Sequence, residues 1–307
     1  LGVISPRTKT VLRCLPLVLL AAVLWREKPW QVRLSAGMPW AILVTVALNF
    51  LVYLPIKAAR WRVALTDPPP FRQVFAATIE GLLANAAIGF GSGDLVRSAR
   101  LRQHSQQLAV DYACTWAERG AEILALAVLI FITALAMKLG GFAIALSLAA
   151  VAGYVLLLAV GRRIVPHLAR WPRVQQAVEA GLSASTPKRV AAMSFLSLLG
   201  WVAEILMLLA FQAAFALPVR LDAALLTLVG INAAIVIPTL PGNFGTFEAG
   251  AIMAMVSCHV PRDVAVLFAL TYHLTHVIPV ALVATTVYLV RSRRLRAASC
   301  ETQGTRR

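Results

Sequence analysis

The chain has 307 residues, 60% of them hydrophobic, with a mean hydropathy of +0.78 and a formal net charge of +16. A soluble domain is only about half apolar, and the longest polar stretch here, about 161–189, is too short to form one. The surplus Lys and Arg sit between apolar runs, which fits cytoplasmic loops and anionic headgroups and excludes a soluble basic face for nucleic acid.

In chain order, full crossings are expected at about 11–24, 39–56, 112–136, 141–160, 190–216 and 264–290. Arg7, Lys9 and Arg13 precede the first crossing and place the N-terminus in the cytoplasm; without a small-x-small site, a cleaved signal peptide is not expected. Lys57, Arg60 and Arg62 then mark a cytoplasmic flank. The run 73–90 is nearly long enough to cross. A full crossing would put Arg97, Arg100 and Arg102 outside, so a re-entrant hairpin turning at Gly89, Gly91 and Gly93 is expected instead. Its polar return arm, 94–108, must face protein or a wet cavity.

The segment 161–189 reads as a cytoplasmic linker. Leu168, Trp171, Val174, Val178 and Leu182 share one helical face within it, as in a helix lying on a leaflet. Two short arms, 223–238 and 246–258, flank Pro241, Gly242 and Gly245, and read as a second hairpin opening to the outside. A basic tail, 293–307, returns to the cytoplasm.

The expected fold is therefore an all-α polytopic membrane protein: an inverted repeat of about six full crossings and two re-entrant hairpins. Repeat one covers about 11–138 and repeat two about 141–292. Asn85-Ala-Ala-Ile and Asn232-Ala-Ala-Ile open the two breaks. Asp94 and Glu248, like Arg119 and His273, stand 154 positions apart. Paired broken segments in corresponding positions of two halves mark transporter binding sites.

Ionisable residues at membrane depth are costly and pair or face a cavity. Asp94 and Arg97 are spaced to pair on one helix face. Glu118, Arg119 and Glu122 interrupt an apolar helix, and Arg119 requires a partner, with Asp94 or Glu248 as candidates. Glu248 opens a helix, where its charge meets the dipole. Tyr272, His273 and His276 lie in the last crossing, where interhelical hydrogen bonding is the expected role. Glu80 and Glu204 are lone acids with no assigned role. Cys14, Cys114, Cys258 and Cys300 are scattered, so neither a disulfide framework nor a metal site is expected. No catalytic set and no cofactor motif is found.

The combination Gly93-Asp94-x-x-Arg97, Glu118-Arg119-x-x-Glu122 and Pro241-Gly242-x-x-Gly245-x-x-Glu248 resembles the lysylphosphatidylglycerol synthase transmembrane-domain family, also called flippase-like domains. The resemblance spans about residues 10–292. The family usually carries Glu at the position of Asp94, Asp at Glu122, Gly at Asn243 and Arg at His273. The carboxylate exchanges keep their sign, whereas His273 puts a fixed cationic role there in doubt.

In the best-known relatives this domain precedes a soluble aminoacyl-tRNA-dependent transferase. The sequence given holds no such domain, so lipid aminoacylation is not expected. The resemblance implies a stand-alone lipid translocator or lipid-transport accessory in a bacterial inner membrane, with both termini cytoplasmic. Its expected partners are anionic or phosphate-bearing membrane lipids and envelope-lipid synthesis enzymes. The expected path for a headgroup is lined by Asn85, Asp94, Arg97, Glu118, Arg119, Glu122, Asn232, Glu248, Tyr272 and His273. A membrane-embedded transferase acting on lipid-linked substrates, a proton-coupled carrier of a small solute and a scaffold are the alternatives.

Overall fold

The computed structural model describes residues 25–26, 36–89, 91–105, 108–138, 140–235 and 241–304. The expected first crossing, 11–24, lies outside them. Every regular element described is a helix: α1 (Met38–Ala64), α2 (Phe71–Ile88), α3 (Ser92–Ser105), α4 (Leu108–Met137), α5 (Gly141–Ile164), α6 (Pro172–Ala184), α7 (Pro187–Ala214), α8 (Leu221–Ala234), α9 (Thr246–Ser257) and α10 (Arg262–Gly304). Five stretches among the described residues are long and apolar enough to cross a bilayer: Met38–Ala64, Leu108–Met137, Ala143–Leu168, Pro187–Ala214 and Arg262–Val283. They match five of the expected crossings. The chain is a multi-pass helical membrane protein.

Helix α1 runs further than the hydropathy pattern implies. Its apolar half passes through a π turn, Asn49–Tyr53, just before Pro55. Proline has no N–H for the preceding turn, and a π turn is one way a helix absorbs that loss. The helix then carries Lys57, Arg60 and Arg62 on to Ala64. The charge pattern assigns these residues to a cytoplasmic flank. Instead Arg60 is buried inside the bundle, with 4% of its surface exposed. The last helix likewise outruns its expected end at 290, since its backbone stays helical to Gly304 through most of the basic tail.

Helices α2 and α3 form one tight hairpin, and α8 and α9 another. Both depend on glycine in the same way. A Cβ on Gly81 would lie 2.7 Å from the Gly93 carbonyl oxygen, and one on Gly93 would lie 2.4 Å from the Gly81 oxygen. A Cβ on Gly230 would lie 2.7 Å from the Gly250 oxygen, and one on Gly250 would be 2.3 Å from the Gly230 oxygen. Only residues without a Cβ allow backbones this close. The same geometry sets Arg97 opposite Gly81 and Ala254 opposite Gly230.

Relative to these crossings the two carboxylates are offset. Gly93 precedes Asp94, whereas Gly250 follows Glu248. Relative to its crossing Glu248 is thus about one turn, roughly 4.5 Å, nearer the tip, yet each acid is third in its helix and follows a turn glycine at positive φ, Gly91 or Gly245, by three residues. Gly93 itself is not a turn residue: it lies inside α3 and is the point of closest approach. The turns are made by Gly89 and Gly91 in one hairpin and by Gly242, Asn243 and Gly245 in the other, all at positive φ. The Ser92 hydroxyl lies within hydrogen-bond reach of the carbonyls of Ala84 and Gly89 and ties the start of α3 to the end of α2. The tips meet, with the turn Pro241–Asn243 packed on α2 and the Cβ position of Gly242 3.6 Å from the Ala86 oxygen.

The linker helix α6 is not simply afloat on a leaflet. Ala180 and Ala184 are buried, and Gly181 faces the Ala113 carbonyl of α4. Trp171 and Val174, from the expected apolar face, remain exposed. Among the described residues, two larger apolar cores and a small one around Leu54, Ile79 and Val280 hold the bundle. One of the larger gathers Trp61, Val74, Leu101, Cys114 and Met193 around α1 to α4 and α7. The other stacks Phe211, Phe247, Phe268 and Tyr272 between α7, α9 and α10.

Candidate functional site: a closed ring of six charges

Three arginines and three carboxylates alternate around a closed ring between α1, α3 and α4. Arg60 Nε donates to Glu118 Oε1 at 2.9 Å, and Glu118 Oε2 accepts from Arg97. Arg97 Nη2 reaches Asp94 Oδ1 at 3.1 Å, and Asp94 in turn accepts from Arg119 Nη2 at 3.0 Å. Arg119 Nη1 bonds Glu122 Oε2 at 2.9 Å, and Glu122 Oε1 closes the circuit on Arg60 Nη1 at 3.0 Å. Every member touches two of opposite sign, so the ring carries no net charge.

Local sequence explains the assembly. Glu118, Arg119 and Glu122 lie within two turns of α4, while the spacing of Asp94 and Arg97 puts both on one side of α3. Gly81 and Gly93 draw α3 against α2, and Arg97 stands at that crossing. Trp61 lies under the Arg97 guanidinium, 4.6 Å from ring centroid to Cζ, and anchors its own Nε1 on Thr115 Oγ1 at 3.1 Å. From α7, Ser197 Oγ accepts from Arg60 Nη1 at 2.9 Å.

The ring has a dry side and an open side. The side chains of Arg60, Arg97 and Glu118 are 5%, 4% and 1% exposed. Those of Asp94, Glu122 and Arg119 are 18%, 20% and 38% exposed. On the dry side two donors, Arg60 Nη2 and Arg97 Nε, are buried without an acceptor among the described residues. Next to Arg60 a cleft of about 10 Å³, lined by Tyr53, Lys57, Ser197 and Trp201, has room for about one water.

The second hairpin carries a smaller site. Glu248 Oε2 accepts from the Gly245 N–H at 2.7 Å, and Oε1 accepts from His273 Nδ1 at 2.7 Å. Glu248 and His273 are both buried. Phe247 stacks on the imidazole at 4.1 Å, and Phe244 lies 4.7 Å away. The pair therefore has an aromatic, water-poor surround.

A family model described as "Lysylphosphatidylglycerol synthase TM region" matches residues 11–284. The chain belongs to that family. Comparison with curated proteins gives no match, and comparison with solved structures gives none either. Family membership and the helical architecture together make this a membrane protein related to lipid handling.

Within the family region, the structure brings Asp94, Arg97, Glu118, Arg119 and Glu122 together, and sets Glu248 with His273. Tyr272 stands apart in the aromatic core, its hydroxyl 3.4 Å from the Glu204 carbonyl oxygen. Asn232 turns its amide back to Leu228 O on its own helix at 2.9 Å. Asn85 packs beside the Gly93 crossing. His276 donates from Nδ1 to the Tyr272 carbonyl at 2.9 Å. Glu80 is not alone, since it binds Arg100 at 2.9 Å across the first hairpin. The ring member not singled out in the sequence is Arg60. Its only signal there is its place soon after an apolar run, which loop arginines share.

Proposed function

We propose that the chain is a lipid translocator, or an accessory to lipid transport, in which the open side of the six-charge ring receives a phosphate-bearing headgroup while the acyl chains stay in the bilayer. The ring is the observation that carries this reading. A charge at membrane depth must stay compensated. Because each member has two partners, a phosphate can replace one carboxylate at Arg119 while Asp94 keeps Arg97 and Glu122 keeps Arg60. An amine on the headgroup would turn to the carboxylate so released. The unpartnered Arg60 Nη2 and Arg97 Nε are donors in reserve deeper in the ring.

Two re-entrant hairpins of opposite entry, within an inverted repeat, fit this role. The matching glycine crossings and the meeting of the two tips support that arrangement. We place the protein in a bacterial inner membrane with both termini cytoplasmic, from the basic flanks, and assign it no enzymatic step. One observation favours a second reading, a proton-coupled carrier of a small solute: Glu248 and His273 form a buried, hydrogen-bonded pair of ionisable groups.

The deciding experiment is a fluorescent-lipid translocation assay in proteoliposomes across a panel of headgroups. Wild type should move phosphate-bearing lipids, and Arg119→Gln should lower the rate at least tenfold while remaining folded. Unchanged translocation by folded Arg119→Gln would sink the headgroup path. Solute-dependent proton uptake without lipid movement would shift the assignment to the carrier.

A further inference from the structure

We propose a second anion site, separate from the ring, that takes a phosphate group carried on an apolar stem. A half-open cleft of about 320 Å³ lies where the end of α1, the loop 65–70, and the starts of α2 and α7 come together. Its charged lining residues are Arg62 and Arg189, and its wall includes Val63, Leu65 and Phe71. Among the described residues, no carboxylate lines it. The nearest acid in the loop, Asp67, is exposed.

Three observations point to an anion. Arg189 Nη1 is buried and has no acceptor among the described residues. A buried donor left unpaired is costly, and a ligand oxygen would remove that cost. Arg62 is held by its Nε, which donates to Pro69 O at 3.2 Å, a bond that uses none of its terminal nitrogens. Two arginines lining one cleft suit the several oxygens of a phosphate.

The position argues for an apolar stem. The cleft lies where Met38–Ala64 ends and Pro187–Ala214 begins, the ends of two membrane spans and hence headgroup depth. Phe71 is 40% exposed beside it and stacks on Phe75, offering an apolar surface next to the cations. The volume is at the low end for small-molecule sites, about 300 Å³, enough for a phosphoglycerol unit but not for a whole lipid. Arg62 is two residues beyond Arg60, about 200° around α1, so the cleft and the ring occupy different faces of one helix. The site stands whether or not the ring carries headgroups.

The test uses purified full-length protein in a maltoside detergent, titrated with inorganic phosphate, dihexanoyl phosphatidylglycerol and dihexanoyl maltoside. Wild type should bind the short-chain phospholipid more tightly than phosphate and should not bind the uncharged amphiphile at this site. Arg62→Gln/Arg189→Gln should weaken phospholipid binding at least tenfold. Arg62→Lys/Arg189→Lys, which keeps the charge but loses the fork, should fall between. Folding is checked by helix melting, and Gly153→Ala, away from both the cleft and the ring, should leave this binding intact. Phosphate bound as tightly as the phospholipid would overturn the apolar-stem assignment. Equal phospholipid binding by wild type and the folded double Gln variant would overturn the site.

Discussion

Arg119 grips Asp94 with two nitrogens, Nε at 3.2 Å and Nη2 at 3.0 Å, from 25 residues further along the chain. His273 meets Glu248 at the same separation of 25 residues. In each case an acid on the second arm of a hairpin is held by a base on the next long helix. The chemistry differs. A guanidinium is a planar fork that only donates, whereas an imidazole nitrogen donates or accepts according to its tautomer.

Arg60→Gln removes the cation that joins Glu118 to Glu122 and leaves both acids short of charge. Breaking a buried pair costs about 3–5 kcal/mol. Reversible unfolding in mixed micelles should show a loss of that order. Arg119→Gln should cost less, because the Arg119 side chain is 38% exposed. Equal losses would mean that burial does not set the strength of the links.

Gly81→Ala and Gly230→Ala should each destabilise by about 1–3 kcal/mol, since the added methyl meets backbone oxygen at 2.7 Å in both hairpins and backbone yields poorly. Gly153→Ala is the control. Nothing lies within 4 Å of its Cβ position, so the change should be neutral or slightly stabilising in a helix. Melting temperatures of the three variants decide the matter.

Gly120→Ala should loosen α5 from α4, because its methyl would lie 2.1 Å from Tyr154 Cε2. Removing that ring in Gly120→Ala/Tyr154→Ala should recover part of the loss. The readout is non-additivity in a double-mutant cycle.

Glu248→Ala deprives both the Gly245 N–H and His273 Nδ1 of their acceptor, at a cost of about 1–3 kcal/mol for a buried donor left unsatisfied. Glu248→Gln keeps an acceptor oxygen and should be milder. If Gln is as damaging as Ala in a thermal-melt assay, the charge matters more than the hydrogen bond.

Much of this site is legible in the sequence, because an ionisable residue in an apolar helix is conspicuous. Asp94, Arg97, Glu118, Arg119 and Glu122 stand out, and Asp94 is a candidate partner of Arg119 before any geometry is known. Arg60 does not stand out, because arginine just beyond an apolar run is also what a cytoplasmic loop looks like. The glycine crossings are hidden for another reason. Gly81, Gly230 and Gly250 sit inside helical runs where small residues are common, and only tertiary contact separates a crossing glycine from a filler. The carboxylates and the turn glycines Gly91 and Gly245 keep one spacing of 154 between the halves while the crossing glycines do not, so spacing alone does not find the crossings. The amphipathic face of α6 is visible as a face, but periodicity does not say whether lipid or protein covers it.

Around a closed circuit with an even number of places, only two strict alternations of plus and minus exist. An isolated ion pair survives an exchange of its two residues, but a pair within this circuit does not. The double exchange Asp94→Arg/Arg119→Asp would set the new cation against Arg97 and the new anion against Glu122, two repulsions gained for one attraction kept. Sign reversal is therefore inaccessible by single or paired steps, and change is confined to swaps within one sign. Glu in place of Asp94, or Asp in place of Glu122, is a swap of that kind.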